Sequence, residues 1–239
     1  MKITKLLSAR NTAMRQNKIP TIAFLGDSVT QGCFEIYLID GKRIETVFDR
    51  NHAYSNYVSQ ILAMLYPSCQ VNIINAGISG DSAVGGYARL ERDVLSHKPD
   101  LTVVAFGLND SGRGADGLSD YTESLAKIFR DLQDAGSEVI FMTPNMMCTV
   151  ESPHNPPYFS DLAKGIMKTQ NGGVLDMYLE AGKKVAEEAG VRICDVYAKW
   201  KLMAENGVNT TELLSNYVNH PTREMNWLFA YSLVEEMMK

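Results

Sequence analysis

Four cysteines in 239 residues leave little for disulfide or metal chemistry to use. Cys33, Cys69, Cys148 and Cys194 are widely scattered and form no CxxC pair, so reduced cysteines in a cytoplasmic protein are the simplest expectation. Basic excess is also missing. Lys plus Arg number 23 against 28 Asp plus Glu, a net charge of −5, which gives no reason to expect nucleic-acid or anionic-membrane binding. No apolar stretch approaches the ~20 residues that span a bilayer. The N-terminal segment is interrupted by Arg10, Asn11, Arg15, Gln16, Asn17 and Lys18 and shows no signal-peptide h-region. Neither a first-turn GxGxxG nor a GxxxxGK[ST] appears, which weighs against a nucleotide-binding α/β protein. No repeat or low-complexity linker divides the chain.

What remains is ordinary globular composition, 45% hydrophobic and 21% charged, in a chain long enough to bury a substantial core without staples. Apolar runs predict strands over Thr21–Leu25, Gln70–Asn75, Leu101–Phe106, Glu138–Thr143 and Arg192–Val196. Helical spacing predicts helices over Ala53–Tyr66, Ser82–His97, Leu118–Ala135 and Val174–Ala189, with a last one from an N-cap near Thr222 to the terminus. Residues 1–19 read as a helical extension carrying Ile3, Leu6, Leu7, Ala13 and Met14. In Ala53–Tyr66 the residues Tyr57, Ile61, Leu62 and Leu65 share one face, and Asp40-Gly41-Lys42 is a hairpin signal. Strands alternating with helices from end to end define a parallel sheet covered on both faces, and the expectation is a single domain over residues 1–239. The proline-bearing segment 144–173 follows the fourth strand as a long irregular loop, either a lid over the sheet's carboxyl edge or a surface excursion.

Ligand crevices of open α/β sheets lie outside the carboxyl ends of the strands. Ser28, in Gly26-Asp27-Ser28, stands at the end of the first strand, where a nucleophile belongs; Gly-Asp-Ser also suits a plain turn. After the second strand, in Asn75–Ser82, Gly80 can present an unpaired amide to an anion or merely serve the turn. After the third, Asn109 in Gly107-Leu108-Asn109-Asp110 can donate its amide to an oxyanion or form an Asx turn. Of the four histidines, His52, His97, His154 and His220, the last, in Asn219-His220-Pro221, lies in the loop expected at the same edge as Ser28.

These blocks, in this order, resemble those of the SGNH (GDSL-type) hydrolases, named for Ser, Gly, Asn and His and matched here by Ser28, Gly80, Asn109 and His220. Gly85–Leu90 and Lys98-Pro99-Asp100 resemble the family too, and the likeness runs from about residue 20 to 235. It implies a flavodoxin-like three-layer α/β/α sandwich with a five-stranded parallel sheet. It also implies a serine esterase or acylhydrolase that uses no metal or organic cofactor and acts on short acyl, including O-acetyl, esters of a small molecule or carbohydrate. Ser28 would attack, His220 would take the proton, and the Ser28 and Gly80 amides with the Asn109 side chain would form the oxyanion hole. One departure stands out. The family usually carries an aspartate three residues before the histidine; here that residue is Tyr217, and Asn216 precedes it. Asn216 is then the expected orienter of His220, with Asp195 the next candidate. A slow enzyme follows, or alternatively a catalytically weak or silent carbohydrate-binding or small-ligand-binding relative.

Overall fold

The computed structural model describes residues 1–41 and 43–239. Its elements run α1 (Lys2–Thr12), β1 (Thr21–Gly26), α2 (Ser28–Gln31), β2 (Cys33–Ile39), β3 (Arg43–Phe48), α3 (Tyr54–Leu65), β4 (Asn72–Gly77), α4 (Ala83–Ala88) and α5 (Leu90–Asp93). The second half continues β5 (Leu101–Ala105), α6 (Leu118–Asp134), β6 (Glu138–Met142), α7 (Ser160–Asn171), α8 (Val174–Glu188), β7 (Arg192–Cys194), α9 (Val196–Glu205) and α10 (Met225–Met238). The five parallel strands lie in the order β4-β1-β5-β6-β7. The chain thus starts near one edge and reverses direction between β4 and β5, so a crevice opens beside β1.

Period-two alternation explains the layers. Ile22, Phe24, Leu101, Val103, Ile140 and Met142 face one side, against α1, α3, α9 and α10. Ala23, Leu25, Val104, Val139 and Phe141 face the other, against α4, α6 and α8. A sheet buried on both faces needs continuous apolar strands, and β5 has no partly exposed position. The α/β/α sandwich expected from the sequence is therefore what forms. Tyr121, Leu125, Ile128, Phe129 and Leu132 of α6 are all buried, as their spacing predicts. In α3 the stripe ends a turn early: Tyr57, Ile61 and Leu62 are buried, whereas Leu65 at the last turn is exposed. Among the described residues no helix is long and apolar enough to cross a membrane.

One expected feature, the hairpin, forms, and two segments depart from expectation. The polar stretch after Ser28 forms an antiparallel ribbon, β2 with β3. Asp40 and Gly41 at its tip have positive φ, while Lys42 of the expected turn lies outside the described residues. The segment 144–173 is half helical: α7 occupies its second part. Its first part, Met146 to Cys148, is buried, with the Cys148 N–H donating to the Val218 carbonyl at 2.8 Å. This stretch therefore supports the loop that carries His220. Lastly, the single helix expected over Ser82–His97 is broken into α4, α5 and a 3₁₀ turn at Leu95–His97.

The break lies at Arg89, whose φ of −110° and ψ of 5° leave the helical region. Its guanidinium turns inward instead. Nη2 donates to the Gly26 carbonyl at 2.9 Å, Nη1 to the Ala76 carbonyl at 2.6 Å, and Nε to Asp81 Oδ2 at 2.7 Å. One buried side chain thereby fastens the carboxyl ends of β1 and β4 to the loop that follows β4. Removing it leaves Asp81 Oδ2 and the Ala76 carbonyl without this partner in a nearly dry site, while the Gly26 carbonyl keeps the Ile78 N–H. Arg89→Ala should cost about 3–5 kcal/mol, the usual penalty for unpairing a buried charge. Urea unfolding of parent and variant measures it, and a loss below about 1 kcal/mol, typical of a surface pair, would show that the contact is solvated.

Candidate active site

Ser28 is the first residue of α2, and Asp27 is its N-cap, accepting the Val29 N–H on Oδ1 at 3.0 Å. The first amides of a helix have no acceptor within it, so the Ser28 N–H stands outside the helix's own hydrogen-bond ladder. The helix presses on β4: a Cβ on Gly77 would stand 2.2 Å from the Gln31 nitrogen, so only glycine lets α2 approach this closely. Burial pushes the Asp27 carboxyl up to about 7, with the nearby Asp110 and Asp81 charges acting the same way.

The loops after β4 and β5 are tied to this turn and to each other. The Ile78 N–H donates to the Gly26 carbonyl at 3.1 Å, and the Ser79 N–H to Gln31 Oε1 at 2.6 Å. Gly80 has φ +79°, a left-handed conformation natural only to glycine. Among the described residues its N–H has no acceptor. Asn109 donates one Nδ2 hydrogen to the Asp81 carbonyl at 2.8 Å, which fixes the amide and leaves its second hydrogen over. Asp110 holds this platform from below, taking the Ala83 and Gly107 N–H groups at 2.9 and 3.0 Å. Since β4, β1 and β5 are neighbours, Gly80, Ser28 and Asn109 follow three adjacent strand ends.

His220 reaches the same edge, buried. Its Nε2 lies 3.0 Å from Ser28 Oγ and its Nδ1 lies 2.8 Å from the Phe34 carbonyl oxygen. A carbonyl only accepts, so Nδ1 must carry the proton and Nε2 must face Ser28 as an acceptor. Burial lowers the imidazole pKa to about 4, opposed by the Phe34 hydrogen bond and the Glu35 charge. The Phe34 carbonyl is free for this contact because of a bulge. Cys33 pairs with Phe48 and Ile36 with Thr46, so Phe34 and Glu35 together oppose Val47. Such bulges turn backbone groups out of the ladder.

Asn216 does not orient the ring. Its Oδ1 accepts the backbone N–H groups of Val218, Asn219 and His220 at 2.9–3.0 Å, and its Nδ2 donates to Asn219 Oδ1 at 2.9 Å. An asparagine two to four residues ahead of free amides closes an Asx turn more readily than it reaches a side chain. Asp195 is equally engaged elsewhere, capping α9 through the Ala198 N–H and meeting Thr143 and Lys183. Tyr217, at the position where an aspartate was expected, takes φ +56°, with its ring 5.3 Å from that of His154. His52 bonds Asp49. Asn145 adds a tie that the sequence did not announce, donating to the Asn219 carbonyl at 2.9 Å. The Phe34 carbonyl was equally unannounced, since a backbone acceptor has no residue signature. Among the described residues, no cluster of three His, Cys, Asp or Glu side chains could hold a metal ion.

Residues 24–228 match the profile of the GDSL-like lipase/acylhydrolase family, and the chain belongs to that family. An acetylxylan esterase of Geobacillus stearothermophilus is 27% identical over 154 residues, 61% of this chain and 63% of that protein. The chain thus spans somewhat less than two thirds of that relative. An arylesterase of Vibrio mimicus is 25% identical over 177 residues, 74% of this chain and 75% of the other. In fold, the crystal structure of Axe2, an acetylxylan esterase from Geobacillus stearothermophilus, superposes with a TM-score of 0.67 at 22% identity, covering 91% of this chain and 94% of that one.

Two outcomes follow from the ring's surroundings. A base that must be neutral, with its pKa lowered to about 4, stays competent as acidity rises past the usual histidine midpoint. The acid limb of kcat/KM should therefore lie well below the ordinary histidine pKa of about 6.5, and a limb at that ordinary value would contradict the burial argument. Asn216→Asp keeps an acceptor for the three backbone amides and adds no contact to the ring. It should change kcat by less than about threefold, roughly 0.6 kcal/mol of barrier. A rate rise of tenfold or more, about 1.4 kcal/mol, would restore Asn216 as the ring's partner.

Proposed function

We propose that this protein is a serine esterase that removes short acyl groups, O-acetyl groups of carbohydrates among them, through an acyl-enzyme on Ser28. The observation that carries the proposal is the 3.0 Å contact between Ser28 Oγ and the Nε2 of a histidine whose Nδ1 is already occupied. A serine hydroxyl is a weak nucleophile until a base takes its proton, and only one ring nitrogen here can do so. Family membership and the esterase relatives support the reaction class, and the acetylxylan esterase supports the acyl group and a sugar as leaving group.

In this mechanism Ser28 Oγ attacks the ester carbonyl while its proton passes to His220 Nε2. The developing oxyanion is held by the N–H groups of Ser28 and Gly80 and by the free amide hydrogen of Asn109, donors that need no reorganisation during the step. His220 returns the proton to the departing alcohol. Water then repeats the sequence on the acyl-enzyme, with His220 again as base. The Phe34 carbonyl plays the aspartate's geometric part, fixing the tautomer, and lacks its full charge. Loss of the charged partner with a wrong tautomer costs a serine protease about 10⁴ in kcat; here the tautomer is right, so a smaller deficit is expected.

Ser28→Ala should abolish hydrolysis of p-nitrophenyl acetate while the protein melts as the parent does. Retained activity in that folded variant would remove the serine mechanism. Asn109→Ala should lower kcat by about 10²–10³, the cost of one oxyanion donor. A change confined to KM would make Asn109 a ground-state ligand of the substrate instead.

A further inference from the structure

The site lacks an acid against His220, yet a charged assembly stands directly behind the ring's acceptor. Arg223, three residues beyond His220, reaches back to the ribbon. Its Nη1 and Nη2 donate to the two Glu35 carboxylate oxygens at 2.5 and 3.1 Å, and its Nε donates to Asp49 Oδ2 at 2.9 Å. The guanidinium also lies over the Phe34 ring, Cζ 4.4 Å from its centroid. One side chain from the histidine's own segment thus holds Phe34 and Glu35, the two residues of the bulge, and Asp49, just past the end of β3.

Resting on the esterase reading above, we infer that Arg223 and Glu35 are positioning residues for catalysis: together they clamp the bulge so that the Phe34 carbonyl holds His220 Nδ1, and Glu35 supplies part of the negative field a missing aspartate would give. The geometry of the clamp is specific. A planar fork on a carboxylate fixes both distance and orientation, which a point charge does not. Its placement is as informative as its bonds, since Glu35 is adjacent to the very carbonyl that accepts the ring proton. The charges facing this side of the ring are Glu35, Asp49 and Arg223, with His52 bonded to Asp49 at 2.7 Å; the buried Asp27 lies on the Ser28 side. Of these charges it is Glu35 that acts on the imidazole, favouring its protonated form. Glu35 is held below the ordinary glutamate pKa first by its Arg223 hydrogen bond, so it is ionised wherever the enzyme would work. Both side chains are partly exposed, Arg223 at 28% and Glu35 at 45%. Solvent therefore screens the field, and the effect expected is far smaller than that of a buried triad aspartate.

The test uses Arg223→Met, Arg223→Lys and Glu35→Gln in the full chain, with p-nitrophenyl acetate as substrate, melting curves as the control and fluorophosphonate labelling of the parent as reference. Arg223→Met should lower kcat by about tenfold or more with KM almost unchanged, the pattern of a group acting only on the transition state. Arg223→Lys keeps the charge and loses the fork, so its kcat should fall between those of parent and Met variant. Glu35→Gln can still accept from Arg223 and loses the charge. It should reduce kcat and move the acid limb of kcat/KM to lower pH, because removing a negative neighbour makes the imidazole harder to protonate. A merely structural pair would move melting and leave that limb in place. If the parent labels at serine while the folded Glu35→Gln variant matches it in kcat and acid limb, the clamp is overturned and the esterase stands. If the parent neither labels nor hydrolyses the ester, the esterase reading itself fails and the clamp with it.

Discussion

A buried imidazole with both nitrogens engaged is the constraint around which this molecule is arranged. His220 is buried, 6% exposed, and a histidine so placed is held neutral. Neutrality makes it an acceptor at one nitrogen only, and which nitrogen is decided by its other partner. The Phe34 carbonyl makes that choice, so the side chain facing Ser28 is the bare Nε2. Everything else near the site can be understood as holding one of three things in register: the ring, the hydroxyl, or the acceptor behind the ring. Asn216 closes the turn that presents the ring, Asn145 and Cys148 pin that turn to the segment after β6, and the bulge in β2 releases the acceptor.

The sheet supplies the rest by topology. Parallel strands deliver their carboxyl ends to one edge, and the order β4-β1-β5 sets the loops bearing Gly80, Ser28 and Asn109 side by side. Backbone ties keep them there, chiefly Ile78 to Gly26 and Asn109 to Asp81, with Arg89 closing the gap between β1 and β4. The cost is visible in the carboxylates. Asp27 and Asp110 are buried close to one another and to Asp81, and burial pushes Asp110 up to about 6. Each offsets that cost by satisfying amides that the strand-to-helix turns would otherwise leave bare.

Much of this was legible in the residues, and the exceptions have physical causes. The strands were readable because both faces of the sheet are buried, so their apolar runs are unbroken. The three strand-end motifs and the loop motif around His220 were readable because tight turns and polar sites at a sheet edge restrict residue type. Helix α4 was not separable from α5, since the apolar spacing of Leu90 and Val94 continues the pattern while Arg89 bends inward for partners distant in sequence. Nor was α7 visible within a proline-bearing stretch whose prolines all precede it. The choice of Asn216 as the ring's partner failed for a local reason: its carbonyl found three amides within four residues. Sequence spacing to His220 suggested a partner, but the true acceptor is a peptide carbonyl separated from it by 186 residues.

The account turns on the tautomer of one histidine, and heteronuclear NMR of protein carrying nitrogen-labelled imidazoles measures it directly. At neutral pH the account predicts that His220, assigned by comparison with a His220→Gln variant, is neutral with its proton on Nδ1 and Nε2 unprotonated. A His220 signal protonated on Nε2, or on both nitrogens at neutral pH, would contradict it, because the ring could then accept no proton from Ser28.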